Sequence, residues 1–214
     1  MKSPSRQVSS TYFDIVDNPS ARGCPVCVLL SEALRKYFHN LLYENVNDGP
    51  TRRTLRSALG YCHAHAEVLL ASGDSFGTAL LYRDVLEEIL SSLQDPSHIS
   101  HTSNKECPAC RYRNRFERIY VGTIREFAGD ARMQVALRAS GLCRPHTQQV
   151  FDESMIEHPK EGILTTQTDH IARMRTTLGE FLRKQDIQFK AEEVTDEEKM
   201  ACFAAIDFMA GKNV

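Results

Sequence analysis

The chain has 214 residues, of which 42% are hydrophobic and 25% charged, which is the composition of a soluble globular protein. Its formal net charge of -2 excludes a globally basic nucleic-acid binder. No apolar run approaches the roughly 18 to 20 residues that span a bilayer, and the N-terminal residues lack a signal-peptide core. We therefore expect a cytoplasmic protein without a membrane partner.

Residues 1–20 are polar and form a predicted N-terminal arm. Residues 21–94 follow as a first repeat of four predicted helices, which begin near positions 25, 51, 62 and 76. Apolar residues of the first helix share one stripe: Leu30, Leu34, Tyr37, Phe38, Leu41 and Leu42. In the fourth helix we expect seven residues to face inward: Leu80, Leu81, Val85, Leu86, Ile89, Leu90 and Leu93.

The polar, breaker-rich segment 95–105 is the predicted linker, and residues 106–185 repeat the same order of four helices. We expect their inward residues to include Phe116, Ile119, Tyr120, Ile124, Phe127, Ile163, Leu164, Ile171, Met174, Leu178, Phe181 and Leu182. Residues 186–214 contain a charged hinge and a last helix, which begins with a capping box of Thr195 and Glu198. This helix is expected to dock on one repeat, because its apolar residues Phe203, Ile206 and Met209 need a cover.

Both repeats carry the same pattern of metal-ligating residue types. In each, a Cys-Pro-x-Cys motif precedes a Gly-x-Cys-x-x-His motif, and the gap is 35 positions from Cys27 to Cys62 and 33 from Cys110 to Cys143. Gaps this similar indicate an internal duplication. We predict one site per repeat, with the ligands Cys24, Cys27, Cys62 and His65 in the first and Cys107, Cys110, Cys143 and His146 in the second.

Three thiolates and one imidazole are the ligand set of a closed tetrahedral zinc site, so the pattern predicts two structural Zn²⁺ ions. The ligands fall at predicted helix starts, where unpaired N-H groups and the helix dipole favour the thiolate. His63 is the alternative to His65 in the first site. The predicted fold is all-α: two tandem four-helix units, each organised around a Cys3His metal site, plus a C-terminal helix.

Other uses of the cysteines remain open at the level of the sequence. Iron-sulfur clusters would take the same residues. A thioredoxin-like Cys-Pro-x-Cys would require a strand-to-helix turn, and no strand is predicted. Covalent haem attachment is excluded, because Val28 and Arg111 occupy the positions where it needs a histidine. The cysteines could also be buried small hydrophobic residues without a ligand.

The first helix of the second repeat is rich in arginine. From Cys107 to His146 there are eight arginines against three acidic residues, a net charge of 8 minus 3, or +5. Arginine binds phosphate through its guanidinium fork, so an anion or nucleic acid could contact Arg111, Arg113, Arg115 and Arg118. The competing interpretation, which we favour, is a solvated helix face balanced by the acidic residues near the C-terminus.

The doubled cysteine and histidine motifs, with the run Gly77 to Leu86 behind the first copy, resemble an uncharacterised prokaryotic family of all-helical proteins with expected metal sites. The second copy departs from this pattern, because Thr165 to His170 stand where the first has a Gly-x-Ala-x-x-Tyr run. The resemblance implies the fold and the metal sites, and it implies no activity.

No phosphate-binding glycine loop, nucleophile elbow, paired-carboxylate site or zinc-protease helix is present in the sequence, so an enzyme is not supported. The leading hypothesis is a non-enzymatic, zinc-stabilised interaction or regulatory module that binds an unknown protein partner. The alternatives are an iron-sulfur or thiol-based redox protein and a nucleic-acid-binding protein.

Overall fold

A computed structural model describes residues 10–17, 23–94, 106–152 and 160–211. These ranges contain helices and no strand, so the predicted all-α class is confirmed. The helices are α1 (Ser10–Val16), α2 (Pro25–Asn40), α3 (Gly49–Ser57), α4 (His63–Ala71), α5 (Ser75–Gln94), α6 (Pro108–Glu126), α7 (Ala131–Ser140), α8 (Arg144–Phe151), α9 (Lys160–Arg183) and α10 (Asp196–Ala210). A π-helical turn, Leu41–Asn45, continues α2, and a 3-10 turn spans Ile187–Phe189. Across the described ranges, no helix has the length and apolarity to cross a membrane.

Short polar side chains determine where several helices begin. Asp48 accepts a hydrogen bond from the backbone N-H of Thr51 at the start of α3, at 2.9 Å. The predicted capping box is present at α10, where Glu198 N-H donates to the Thr195 hydroxyl and Thr195 N-H donates to the Glu198 carboxylate. Each such cap satisfies a backbone donor that lacks a partner within its helix and contributes about 1 kcal/mol.

The chain forms two compact units that do not coincide with the two predicted repeats. The first unit contains the described parts of Met1–Leu29 and Arg118–Asn213, and the second unit is Leu30–Glu117. The boundaries fall inside α2 and α6, so each of these continuous helices contributes its two ends to different units. The predicted linker 95–105 lies outside the described residues.

The second unit is built on an apolar core contributed by five helices. Its buried members are Leu34, Phe38, Leu41, Leu55, Leu69, Leu81, Val85 and Ala109. Leu34, Phe38 and Leu41 belong to the stripe predicted for the first helix, which is therefore confirmed at these positions. Burial of each large side chain contributes about 1.5 to 3 kcal/mol.

In the first unit, α9 packs against α7 and α10, α1 packs against α7, and α10 packs against α8. The docking predicted for the last helix is confirmed, but the predicted contact residues are wrong. Ala201 and Glu198 are buried, whereas Phe203, Ile206 and Met209 are exposed. The small Ala201 brings the helix close to its neighbours, and the larger apolar side chains stay on the outside.

The inward face predicted for α5 is also partly wrong. Gly77, Leu81, Asp84 and Val85 are buried, whereas the leucines near its C-terminal end are exposed: Leu86, Leu90 and Leu93. The same holds for four residues predicted inward elsewhere, Ile119, Leu164, Ile171 and Leu182. These helices are apolar on more than one face, so periodicity alone does not select the face that meets the core.

A charged residue lies on the buried face of α5 and is paired. Arg52 Nε and Nη2 donate to the two carboxylate oxygens of Asp84, each at 2.6 Å. Hydrogen bonds from Arg52 hold the pKa of Asp84 below its ordinary value near 3.8. This two-point contact joins α3 to α5 and satisfies a carboxylate that would be costly to bury alone.

We expect Asp84→Asn to lower the free energy of unfolding by about 2 kcal/mol at pH 7, since charged hydrogen bonds are lost. Because the folded pKa of Asp84 is depressed, its contribution is present above the unfolded value near 3.8 and is lost as the pH falls below it. Denaturant unfolding at pH 7 and pH 3 measures this difference. The control is Glu67→Gln in the exposed His63–Glu67 pair, which should change little; an equal loss in both variants would contradict the prediction.

Candidate metal centres

The eight predicted ligand residues lie in two groups of four. In each group one ligand atom per residue lies within 4.8 Å of all the others. The buried centre consists of Cys24, Cys27, Cys143 and His146, and the exposed centre of Cys62, His65, Cys107 and Cys110. The buried centre lies within the first unit, and the exposed centre lies within the second unit.

The predicted pairing of the motifs within each repeat is wrong. The Cys-Pro-x-Cys motif of one repeat joins the Gly-x-Cys-x-x-His motif of the other, and the exchange is reciprocal. The two predicted units are therefore not each organised around their own site. Each centre needs ligands from both halves of the sequence.

Helix lengths give a physical reason for this exchange. The 16 residues of α2 and the five of its π-helical turn carry the chain about 30 Å away from Cys24. The nine residues of α3, which precede Cys62, span only about 14 Å, less than half of that length. The second repeat has the same disparity, with 19 residues in α6 and 10 in α7. Spacing along the sequence does not reveal this difference.

All eight ligands lie at or next to helix starts, as predicted. Cys62 and Cys143 are the N-cap residues of α4 and α8, with nearly equal backbone angles of φ -65°, ψ 163° and φ -67°, ψ 160°. The carbonyl groups of Cys24 and Cys107 each accept the first backbone hydrogen bond of α2 and α6, at 3.1 Å. Two helix N-termini thus converge on each centre, and their dipoles favour negative charge on the sulfur atoms.

In the buried centre, the Nδ1 atom of His146 is surrounded by sulfur. It lies 3.4 Å from Sγ of Cys24, 3.4 Å from Sγ of Cys27 and 3.0 Å from Sγ of Cys143. The Sγ atoms of Cys27 and Cys143 are 3.7 Å apart. All four side chains are buried, so solvent has little access to this centre.

The exposed centre has the same arrangement with more solvent access. The Nδ1 atom of His65 lies 3.2 Å from Sγ of Cys62, 3.3 Å from Sγ of Cys110 and 3.7 Å from Sγ of Cys107. His65 is buried and Cys62 is exposed. His63, the alternative ligand, is an exposed residue that pairs with Glu67 and does not belong to the group.

The sulfur–sulfur distances match the edges of a tetrahedron around a single ion, and the nitrogen–sulfur distances of 3.0 to 3.7 Å are mostly shorter than such an edge. Metal–ligand bonds of about 2.3 Å to sulfur and 2.0 Å to nitrogen imply about 3.8 Å between two sulfurs and 3.6 Å between sulfur and nitrogen. One sulfur pair in each centre has such a spacing, with 3.7 Å between Cys27 and Cys143 and 3.6 Å between Cys62 and Cys110. Disulfide sulfurs lie about 2.05 Å apart, and all seven cysteines are free. Each group could therefore hold one metal ion.

The crowding of the thiols perturbs their protonation. Burial raises the pKa of Cys24, and it raises the pKa of Cys110 to about 12. Hydrogen bonds with Cys143 and Cys24 hold the pKa of Cys27 far below its usual value. One thiolate is thus stabilised by the neighbouring thiols in the buried centre, and a cation bound there would replace their protons.

The second ring nitrogen of His65 is also buried. This Nε2 atom has no hydrogen-bond partner among the described residues. An unsatisfied buried N-H costs about 1 to 3 kcal/mol. A cation bound to Nδ1 would fix the proton on Nε2, because only one nitrogen of a neutral imidazole carries hydrogen, so the free energy of metal binding would have to exceed this cost.

In the buried centre, Gln167 of α9 holds the residue that precedes Cys143. Its Oε1 accepts from the N-H of Leu142 at 2.9 Å, and its Nε2 donates to the Leu142 carbonyl at 2.6 Å. The neighbouring Gly141 has φ +66°, and a Cβ there would overlap the ring of His170. Gln167 and His170 thus fix the turn that carries Cys143, and the sequence motif did not identify either of them.

At the exposed centre, one side chain, Tyr82 of α5, contacts both the glycine and the residue before the metal-binding cysteine. Its ring would lie 3.4 Å from a Cβ placed on Gly60, and the backbone N-H of Tyr61, the residue before Cys62, is near enough to its hydroxyl to offset part of the rise that burial causes in the pKa of Tyr82. Gly60 has φ +95°, a conformation that only glycine adopts at little cost. The two centres therefore use one supporting scheme with different side chains.

The C-terminal end of α10 lies against the buried centre. A Cβ on Gly211 would be 3.5 Å from Sγ of Cys143 and 3.8 Å from Sγ of Cys27. Beside this contact is a cavity of about 590 Å³, and its walls include Cys24, Met174 and Phe208. Gly211 was not predicted as a site residue, because a glycine that ends a helix carries no ligand signature.

The sequence resembles a family of unknown function. The family described as "Family of unknown function (DUF6062)" matches residues 13–103. The chain is also similar to the "Uncharacterized 23.9 kDa protein in xynA 3'region" of Caldicellulosiruptor sp. (strain Rt8B.4). The two sequences are 28% identical over 206 residues, which are 92% of this chain and 99% of the relative. No solved structure matches the chain. The predicted resemblance to an uncharacterised family is thus confirmed, and residues 13–103 contribute two ligands to each centre.

The arginines proposed to contact anions differ in availability. Arg113 is half-buried and pairs with Glu117 at 3.3 Å, so its charge is already balanced. Arg111, Arg115 and Arg118 are exposed. A contact of these residues with nucleic acid stays a prediction.

The exchanged pairing can be tested by counting metal ions in double variants. Cys24→Ser with Cys143→Ser removes two ligands from the buried centre alone, so the protein should lose one bound ion and keep the other. Cys24→Ser with Cys62→Ser damages both centres, so both ions should be lost. Elemental analysis of the purified chains measures this, with Cys202→Ser as a control that keeps both ions. The opposite order of losses would support pairing within each repeat.

We expect Gln167→Leu to weaken metal binding at the buried centre by about 10- to 100-fold, because the turn carrying Cys143 loses its support. Competition with a chelator of known affinity measures the two centres separately, and the exposed centre should be unchanged. Gln185→Leu, at an exposed position after α9, is the matched control. Equal affinities in the two variants would show that the Gln167 contact has no part in holding the metal ligands.

Proposed function

We propose that this protein is a non-enzymatic helical interaction module stabilised by two structural Zn²⁺ ions in Cys3His sites. The observation that carries the proposal is the convergence of ligand atoms from separate helix starts at tetrahedral spacing. Each ion would fix two helix N-termini that are far apart along the chain. The metal is then part of the fold, not a participant in a reaction.

The donor set supports zinc. Three thiolates and one imidazole suit this borderline-soft ion, and four protein ligands complete its tetrahedral coordination without a place for water or substrate. The ligands of an iron-sulfur cluster bind different iron ions and must stand further apart than ligands that share one ion. The sulfur separations of 3.6 and 3.7 Å therefore support a single ion over a cluster.

A structural role for the metal fits the small size of the two units. Units of about 100 residues have modest cores, and a structural zinc ion contributes on the order of 10 kcal/mol of apparent binding free energy. Removal of the ion would leave three cysteines and a histidine crowded at two positive helix ends. We therefore expect the folded state to depend on the metal.

Exposed apolar side chains support a role in protein interaction. Large hydrophobic residues with more than half of their surface exposed occur on α5, α9 and α10, among them Leu90, Leu182 and Ile206. Such surfaces on soluble proteins commonly mark contact sites for other chains. The reducing cytoplasm, where thiols remain available to bind metal, is the compartment we propose.

A thiol-based redox role is the second candidate, and the exposure of Cys62 favours it at the exposed centre. An accessible thiolate reacts with oxidants more readily than a buried one. Oxidation of Cys62 would remove one of four ligands and weaken the hold on the ion. The buried centre has no comparably accessible sulfur.

Metal analysis with an optical spectrum tests the proposed function. Protein purified in air and without oxygen should contain two zinc ions per chain and be colourless in both cases, and removal of zinc by a chelator should reduce the helical circular dichroism signal. Cobalt substitution should give the visible bands of tetrahedral sulfur coordination. Visible charge-transfer bands with bound iron and sulfide in the oxygen-free sample would contradict the proposal and support the redox candidate.

A further inference from the structure

One face of α5 is apolar and exposed along the length of the helix. Phe76 is 76% exposed, and Leu86, Leu90 and Leu93 are 60 to 61% exposed. These side chains lie opposite the buried face formed by Gly77, Leu81, Asp84 and Val85. Isolated exposed leucines need no explanation, whereas three of them on successive turns of one face, Leu86, Leu90 and Leu93, indicate a contact surface.

The spacing of this face is that of a coiled-coil seam. Its exposed residues are Phe76, Ala79, Arg83, Leu86, Leu90 and Leu93, which are separated by three, four, three, four and three positions. This alternation is the heptad pattern of side chains that pack against a second helix. We call these six residues the α5 seam.

We propose that the α5 seam binds the α5 seam of a second copy of this chain in an antiparallel arrangement. Antiparallel pairing centred between Asp84 and Val85 places Phe76 opposite the partner copy's Leu93 and Ala79 opposite the partner copy's Leu90. The small Ala79 then leaves room for the partner copy's Leu90, which favours close packing of the two helices. The seam is thus complementary to itself when it is reversed.

Charge also selects this partner and this direction. Antiparallel pairing puts Arg83 level with Leu86 and Glu87 of the other copy, so that each arginine meets a carboxylate across the interface. In the single chain Arg83 makes two loose contacts, at 3.9 Å with Glu87 and 3.7 Å with Asp84, and its side chain stays 62% exposed. A parallel pair would instead place Arg83 directly against Arg83, which is unfavourable.

This inference is independent of the identity of the metal, because it rests on a helix face that contains no ligand residue. The zinc-loaded, full-length protein is the material to test. Metal content is measured on every variant, so failure of the dimer and failure of the zinc proposal give different results. Circular dichroism verifies that each variant is folded.

Sedimentation of the wild-type chain should show a concentration-dependent dimer in the micromolar range. Leu90→Glu introduces a charge into the seam and should raise the dimer dissociation constant by at least about 30-fold. The matched control is Leu70→Glu on α4, a leucine that is 67% exposed and lies outside the seam. The control should dimerise like the wild type.

Charge exchange tests the antiparallel register. Arg83→Glu alone and Glu87→Arg alone each create like-charge contacts across a symmetric dimer, so both variants should dimerise weakly. Mixed in equal amounts, they should form a heterodimer, because every arginine then faces a glutamate of the other chain.

A wild-type chain that remains monomeric throughout the micromolar range would overturn the proposal. A dimer that Leu90→Glu does not weaken would place the interface elsewhere and overturn it as well. A dimer weakened by Leu90→Glu, but with no recovery in the charge-exchange mixture, would overturn the antiparallel register.

Discussion

The convergence of two helix starts on one set of sulfur and nitrogen ligands is the constraint on which the rest of this structure depends. The positive ends of two helix dipoles repel each other, and the thiolates between them remove that repulsion. Three thiolates in turn need a cation. Helix dipoles, thiolates and metal therefore balance one another's charge in each centre. Removal of the metal would leave the thiolates repelling one another, and removal of the thiolates would leave the positive helix ends repelling each other.

The exchanged pairing also determines how much of the chain each centre restrains. Cys27 and Cys143 are 116 positions apart, whereas Cys62 and Cys110 are 48 apart. A link between distant residues removes more conformational freedom from the unfolded chain than one between near residues. Pairing within each repeat would restrain two short segments. The observed pairing links the first turns of α2 to a helix more than a hundred residues later.

The two halves of the chain preserve the support of their metal-binding turns by different means. At the exposed centre Tyr82 both covers Gly60 and places its hydroxyl near the backbone N-H of Tyr61, whereas at the buried centre His170 covers Gly141 and Gln167 binds the backbone of Leu142. Gly162 precedes Gln167 by five positions, as Gly77 precedes Tyr82. The run equivalent to Gly77–Tyr82 is therefore Gly162 to Gln167, and the alignment with Thr165 to His170 expected from the sequence is wrong by three positions. Glutamine replaces tyrosine at the end of this run.

Residue types and their spacing predict where helices begin in this protein. They do not predict which distant segments pack together. The Cys-Pro-x-Cys and Cys-x-x-His spacings correctly place eight side chains at helix starts, because proline and helix geometry act over a few residues. The partner of each motif depends on the lengths of α2 and α3, which the spacing does not encode. Similarly, the leucines of α5 predict a helix, but nothing local distinguishes a core position such as Leu81 from an exposed one such as Leu90.

The most direct test of this account is a crystal structure with anomalous scattering measured at the zinc absorption edge. We expect two peaks per chain, one about 2.3 Å from the sulfurs of Cys24, Cys27 and Cys143 and one at the same distance from those of Cys62, Cys107 and Cys110. A peak between the sulfurs of Cys27 and Cys62, or the absence of any peak with disulfides in place of the centres, would contradict it.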